Sequence, residues 1–165
     1  MSNLIVRPEW NKIFIDMLEI LARRSTCLKI RTAAMIVKNT QIKGIGYNGT
    51  FSNCKECNEY WSDEYKKLNL YISFDEWLKT DEFKNLHREW SLKNEVHAES
   101  NALKQISKND INGCILYTLY SPCDACTKDI IAHNIKILYY KYEYLRGFDA
   151  LIRLKEHGIE CNKIE

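Results

Sequence analysis

The stretch NEVHAESNAL, residues 94–103, carries a histidine and a glutamate two positions apart, and about two dozen residues downstream SPCDAC carries two cysteines three apart. An imidazole and paired thiolates suit zinc, and three protein ligands leave its fourth tetrahedral position to water. Ser121 and Pro122 predict a helix start, with Ser121 as cap, that turns Cys123 and Cys126 the same way and favours their thiolate forms. His97, at the start of another helix, supplies the third ligand. Glu99 does not share the helix face of His97, so it reads as a proton carrier beside the metal and not as a fourth ligand. Zinc brings the pKa of water down toward about 7. A carboxylate that takes that proton and returns it to a leaving amine performs hydrolytic deamination.

Each half of this constellation has a plainer reading. A lone C-x-x-C is equally a redox pair or half of a structural zinc site, with Glu99 then a solvated helix residue. Specificity comes from the conjunction: the order H-x-E … P-C-x-x-C is the pattern of zinc nucleobase deaminases.

The elements that must hold these residues follow from periodicity. Trp10, Ile13, Phe14, Met17, Leu18 and Leu21 recur at helical spacing behind Pro8, which predicts a core-packing helix. AAMIVKNTQIKGIGY reads as two strands in a hairpin about Asn39 and Thr40. Residues 51–93 break the pattern, rich in charge, aromatics and cysteine with no clean apolar face, and read as a polar insertion. Beyond them a helix from about Val96 is followed by strand CILYTLY, a helix, strand IKILYYKY, helix GFDALIRLKEH and strand GIECNKI. That alternation predicts parallel pairing with crossover helices, an α/β fold, in one domain over residues 1–165.

Composition narrows the function. The 24 basic and 22 acidic residues nearly balance, so no broad positive field points to nucleic acid, whereas a small anionic ligand is compatible. No apolar run approaches a membrane span and MSNLIVRPEW lacks the apolar core of a signal peptide, so a cytoplasmic protein is expected. Seven cysteines in a reducing compartment point to metal before disulfides.

ARRSTCLKIRTAAMIVKN, GIGYNGT, HREWSLKNEVHAESNAL and SPCDACTKDIIAHNIK together resemble the deoxycytidylate (dCMP) deaminases of the cytidine deaminase superfamily, and HREWSLKNEVHAE is most similar to the T-even bacteriophage type. The resemblance implies a cytidine deaminase-like fold, a five-stranded mixed β-sheet flanked by α-helices. It implies catalytic zinc on His97, Cys123 and Cys126, Glu99 as proton shuttle, and conversion of dCMP to dUMP for thymidylate synthesis. Asn48 matches the asparagine that meets sugar and base, Arg31 the basic position that meets the 5′-phosphate, and Tyr144 an aromatic near the pyrimidine. Tyr120 stands where the family has leucine and offers a ring at the site's mouth, although a core role suits it equally.

The phage-type enzymes imply a second, structural zinc, with Cys27, His87 and Glu95 at matching positions. For its fourth ligand TFSNCKEC offers both Cys54 and Cys57, and if both bind, Glu95 is released. Cys114 and Cys161, on expected strands, read as small buried apolar residues. Lys108 stands where the phage enzymes carry an arginine. The family further implies a homohexamer regulated by dCTP and dTTP, with Mg2+ on the effector phosphates and Gly46, Tyr47 and Gly49 near the effector. Gly44, Gly46 and Gly49 would let backbone approach a phosphate, but a hairpin needs glycine anyway. Three other readings compete: a bifunctional dCMP/dCTP deaminase, an RNA-acting deaminase, and a non-catalytic zinc-stabilised nucleotide sensor.

Overall fold

The computed structural model describes residues 7–107, 109–144 and 148–165; Lys108 lies outside them. Helix α1 (Trp10–Leu21) leads through a short 3-10 turn to a hairpin of β1 (Ala33–Lys38) and β2 (Gln41–Tyr47). Asn39 and Thr40 both take left-handed backbone, φ 50° and 61°, the geometry that matches the twist of a two-residue hairpin. After β3 (Gly49–Thr50) come α2 (Cys57–Leu68), α3 (Phe74–Trp77), α4 (Asp81–Asn94) and β4 (Glu95–Val96), then α5 (Ala98–Leu103). The chain closes with β5 (Ile115–Tyr120), α6 (Asp124–Ala132), β6 (Ile137–Tyr142), α7 (Phe148–Glu156) and β7 (Glu160–Lys163).

The main sheet has the order β2-β1-β5-β6-β7, antiparallel through β1 and parallel from β5 to β7, which is the expected five-stranded mixed sheet. Because side chains alternate across a strand, β1 feeds both faces. Ala34 and Ile36 pack with Leu116, Ile130, Leu138 and Leu154 under α5, α6 and α7, and Ala33, Met35 and Val37 pack with Tyr117 and Leu119 under α1. Cys114 is buried and Cys161 half-buried against the first of these cores, as expected of small apolar side chains.

Helix α1 is rotated from its expected face. Phe14, Ile15 and Leu18 meet the sheet, whereas Trp10 is 58% exposed and Met17 38%. A helix lying on a flat sheet buries only the stripe directly beneath it, so the apolar flanks remain in solvent.

The insertion also departs from expectation, since it does have an apolar face. Trp61, Trp77 and Phe83 are buried together, with Trp61 and Phe83 ring centres 5.3 Å apart and Trp77 and Phe83 4.9 Å apart. Tyr60, Tyr65, Phe74 and Trp90 pack around them. Aromatic rings with polar tips gave this core little hydrophobic periodicity while burying large areas. Caps fix its helices: Ser73 and Glu76 form a capping box on α3, and Thr80 Oγ1 accepts from the Phe83 N–H at 3.2 Å on α4.

Candidate active site and metal clusters

His97 is the N-cap residue of α5 and Cys123 that of α6, and Cys126 lies in the first turn of α6. The expected cap, Ser121, is displaced from this role. Its Oγ accepts from the Tyr144 N–H at 2.8 Å, which ties down the segment after β6. Helix α6 therefore begins after Cys123, with Pro122 outside it.

His97 Nδ1 lies 3.3 Å from Cys123 Sγ and 3.2 Å from Cys126 Sγ. Tetrahedral zinc with bonds of about 2.3 Å to sulfur and about 2.0 Å to nitrogen sets sulfur and nitrogen about 3.5 Å apart, so the donors fit around one such ion with slight expansion. Their electrostatics point the same way. Hydrogen bonding from Cys126, seconded by His97, holds the Cys123 thiol down at about 4, and Cys126, beside that thiolate and buried, is pushed up. The same contact with Cys123 raises His97 to about 9. Three donors crowded into sharing protons are in the situation that a divalent cation relieves by displacing them.

Two side-chain contacts set this geometry. Ser100 Oγ on α5 donates to Asp129 Oδ2 on α6 at 2.6 Å, fastening the histidine-bearing helix to the cysteine-bearing one. Thr127 Oγ1 donates to the Cys123 carbonyl at 2.9 Å. Glu99 lies in the first turn of α5 with only 8% of its surface exposed, and burial raises its carboxyl above the ordinary range.

A second cluster stands nearby. Cys27, Cys57, His87 and Glu95 bring one donor atom each within 4.8 Å of the others. His87 Nε2 is 3.6 Å from Cys27 Sγ and 3.4 Å from Cys57 Sγ, and Cys27 Sγ is 3.7 Å from Glu95 Oε2. These are again close to tetrahedral zinc edges of about 3.5 Å. Hydrogen bonding from Cys57 brings Cys27 down to about 3 while Cys57 is pushed up, and burial lifts Glu95 to about 7. His87 Nδ1 and Glu95 Oε1 are buried with no partner among the described residues. Four donors make a closed set and three an open one, the difference between structural and catalytic zinc.

Both clusters border one cleft of about 430 Å³, whose walls include Asn48, Glu99, Tyr120 and Tyr144. That volume suits a small molecule.

A family model described as the cytidine and deoxycytidylate deaminase zinc-binding region matches residues 8–142. The chain belongs to this family. The deoxycytidylate deaminase of Enterobacteria phage T4 is 32% identical over 161 residues, covering 86% of this chain and 82% of the relative. ComE operon protein 2 of Bacillus subtilis is 29% identical, covering 96% of this chain and 73% of its own. Among solved structures, the dCMP deaminase of cyanophage S-TIM5 in complex with dCMP and dUMP matches with a TM-score of 0.70 at 28% identity, over 97% of this chain and all of that one. The protein is thus a deaminase with the cytidine deaminase fold.

Several residues expected at the deaminase site lie elsewhere or act otherwise. Cys54 is exposed and outside the second cluster, whereas Cys57, the first residue of α2, is fully buried within it, so Glu95 keeps its place. Left-handed Asn53 turns the chain just before Cys54, and helix α2 then carries Cys57 inward. Arg31 is exposed and does not line the cleft; its neighbours Ile30 and Thr32 do. Arg31 turns its side chain to solvent instead.

Asn48 does line the cleft, but its amide is engaged by backbone, accepting from the Thr32 N–H at 3.0 Å and donating to the Ile30 carbonyl at 2.9 Å. One lone pair and one N–H remain for a ligand. Gly44 and Gly46 face α5: a Cβ on Gly46 would stand 2.3 Å from the Ala98 carbonyl oxygen, and one on Gly44 2.7 Å from that of Ala102. They seat the helix against β2. Tyr47 is half-buried beneath Arg24, and Gly49 pairs with Val96. Sequence reasoning missed Lys29, Arg88 and Ser91 on the cleft wall. The one available signal was the spacing of Arg88 and Ser91 from His87 on a common helix.

Proposed function

We propose that this deaminase converts dCMP and water to dUMP and ammonia, with zinc held by His97, Cys123 and Cys126. The observation that carries the reading is an open set of three donors with the buried Glu99 carboxylate beside it, facing a cleft of nucleotide size. Zinc, when bound, supplies Lewis acidity toward water and the ring being attacked. Glu99 takes the water proton as the oxygen bonds to the amino-bearing carbon, and returns it to the nitrogen as the carbon–nitrogen bond breaks. Its burial favours the protonated form and so matches it to the second transfer. Asn48 orients the nucleoside with its remaining amide groups. The rings of Tyr120 and Tyr144 exclude water from the pyrimidine face.

The likeness to enzymes named for deoxycytidylate favours dCMP among the cytosine-bearing substrates. Cys27, Cys57, His87 and Glu95 complete the proposal as ligands of a second, structural zinc. Effector control by dCTP and dTTP with Mg2+, homohexamer assembly, a cytoplasmic setting and dUMP supply for dTTP synthesis belong to the same reading. Among the described residues no helix is long and apolar enough to cross a membrane.

The test is loss of ultraviolet absorbance with dCMP, dCTP, deoxycytidine and a transfer-RNA hairpin, each with and without dCTP or dTTP as effector. Turnover of dCMP far above the rest is expected. Preference for the hairpin would replace the proposal with RNA editing, and inactivity toward all four would leave a nucleotide sensor.

A further inference from the structure

One wall of the cleft has no part in moving protons or holding metal at His97. Helix α4 turns His87, 2% exposed, into the second cluster, and on the adjoining face Arg88 and Ser91 border the cleft that also contains His97 and Glu99. Residues three apart on a helix are surface neighbours, and Ser91 Oγ donates to the Arg88 carbonyl at 3.2 Å. Phe83 and His87, both buried, fix the roll of the helix and with it the direction of Arg88.

The charges around the cleft are unequally placed. Glu95 belongs to one donor cluster, Glu99 stands beside the other, and Glu143, on the side of Tyr144, pairs with Lys163 at 2.9 Å. The cations on the wall, among the described residues, are Lys29 and Arg88. Arg88 is exposed, and its guanidinium has no ion pair within the described residues. A phosphate entering this cleft with a cytosine directed at Glu99 meets repulsion on the carboxylate side and a free guanidinium fork on the α4 side.

We propose that Arg88, supported by the Ser91 hydroxyl, binds the substrate's 5′-phosphate, so that the insertion held by the second cluster, and not Arg31, selects a nucleotide over a nucleoside. The assignment rests on the dCMP reading above. It gives the insertion a part in recognition: the cluster that anchors His87 also holds the phosphate-binding residue one position along.

The test measures binding of dUMP and of deoxyuridine by titration calorimetry, with KM for dCMP, in the wild type and in Arg88→Ala, Arg88→Lys and Arg31→Ala. Loss of a bidentate charged contact predicts dUMP affinity weakened and KM raised about 10- to 100-fold in Arg88→Ala. Deoxyuridine affinity should shift by less than about threefold, as for a surface change away from the base. Arg88→Lys should recover part of the loss, since the charge remains but the fork does not. If Arg88→Ala leaves the preference for dUMP over deoxyuridine intact, or if Arg31→Ala is the variant that abolishes it, the assignment is wrong. A wild-type protein with no such preference overturns the dCMP reading itself, so the two failures are told apart before any variant is compared.

Discussion

At the scale of single residues, the site separates proton transfer from metal holding. Glu99 is two positions from His97, yet it faces the cleft from a buried position while His97 caps the helix beside the cysteines. Replacing its carboxylate by an amide of the same shape should leave the three donors in place. We predict that Glu99→Gln retains its full zinc content by elemental analysis while kcat for dCMP falls by about 10²- to 10⁴-fold, the range of acid–base contributions. Loss of metal in this variant would assign Glu99 to coordination. Asp129 makes the complementary case, since it touches no donor and acts by accepting from Ser100 across two helices. Asp129→Ala should weaken zinc affinity about 10-fold or more, read by competition with a chromophoric chelator, in keeping with the usual effect of removing support from metal ligands.

At the scale of elements, the close seating of α5 on β2 sets where His97 and Glu99 stand. Gly46 leaves no space for even a methyl group against the Ala98 carbonyl, which belongs to the residue between them. Gly46→Ala should therefore push α5 off the sheet and lower stability by about 1–3 kcal/mol, as overpacking does, and a denaturant midpoint equal to that of the wild type would refute the contact. The elements themselves were legible where one physical rule decided them. Apolar β1 between two cores, the Asn39-Thr40 turn and the alternation from β5 onward all followed from periodicity and turn chemistry. The three donors of the catalytic cluster were legible from spacing, because helix starts bring short motifs to one point. The rotation of α1, the cap of α6 and the core of the insertion were not, since each depends on what packs opposite. The exposure of Arg31 and Cys54 was not legible for a related reason: sequence proximity to a site does not say which way the chain turns a side chain.

At the scale of the whole molecule, the deaminase sheet and the insertion meet in the stretch Glu95-Val96-His97. Glu95 belongs to one donor cluster and His97 to the other, and β3 pairs with the strand between them, Gly49 opposite Val96 and Thr50 opposite Glu95. The second cluster also joins three separate parts of the chain, with Cys27 after α1, Cys57 on α2 and His87 on α4. A metal there would stabilise the fold by its own binding energy, because the unfolded chain has no such site. The aromatic core of Trp61, Trp77 and Phe83 holds the insertion together from within, so loss of the metal should loosen the attachment to the sheet without unfolding α2 to α4. Removing one buried donor leaves the others unpaired, and a cost of about 3 kcal/mol would lower the melting temperature by about 6–12 °C for a domain of this size. Cys57→Ala should then melt at that lower temperature and bind one zinc per chain fewer, whereas Cys54→Ala, exposed and outside the cluster, should match the wild type in both. Cys123→Ala should lose one zinc as well but abolish turnover, so the pair of variants divides the metal content between stability and catalysis. Equal melting temperatures for Cys57→Ala and Cys54→Ala would mean that the four donors hold no structural ion.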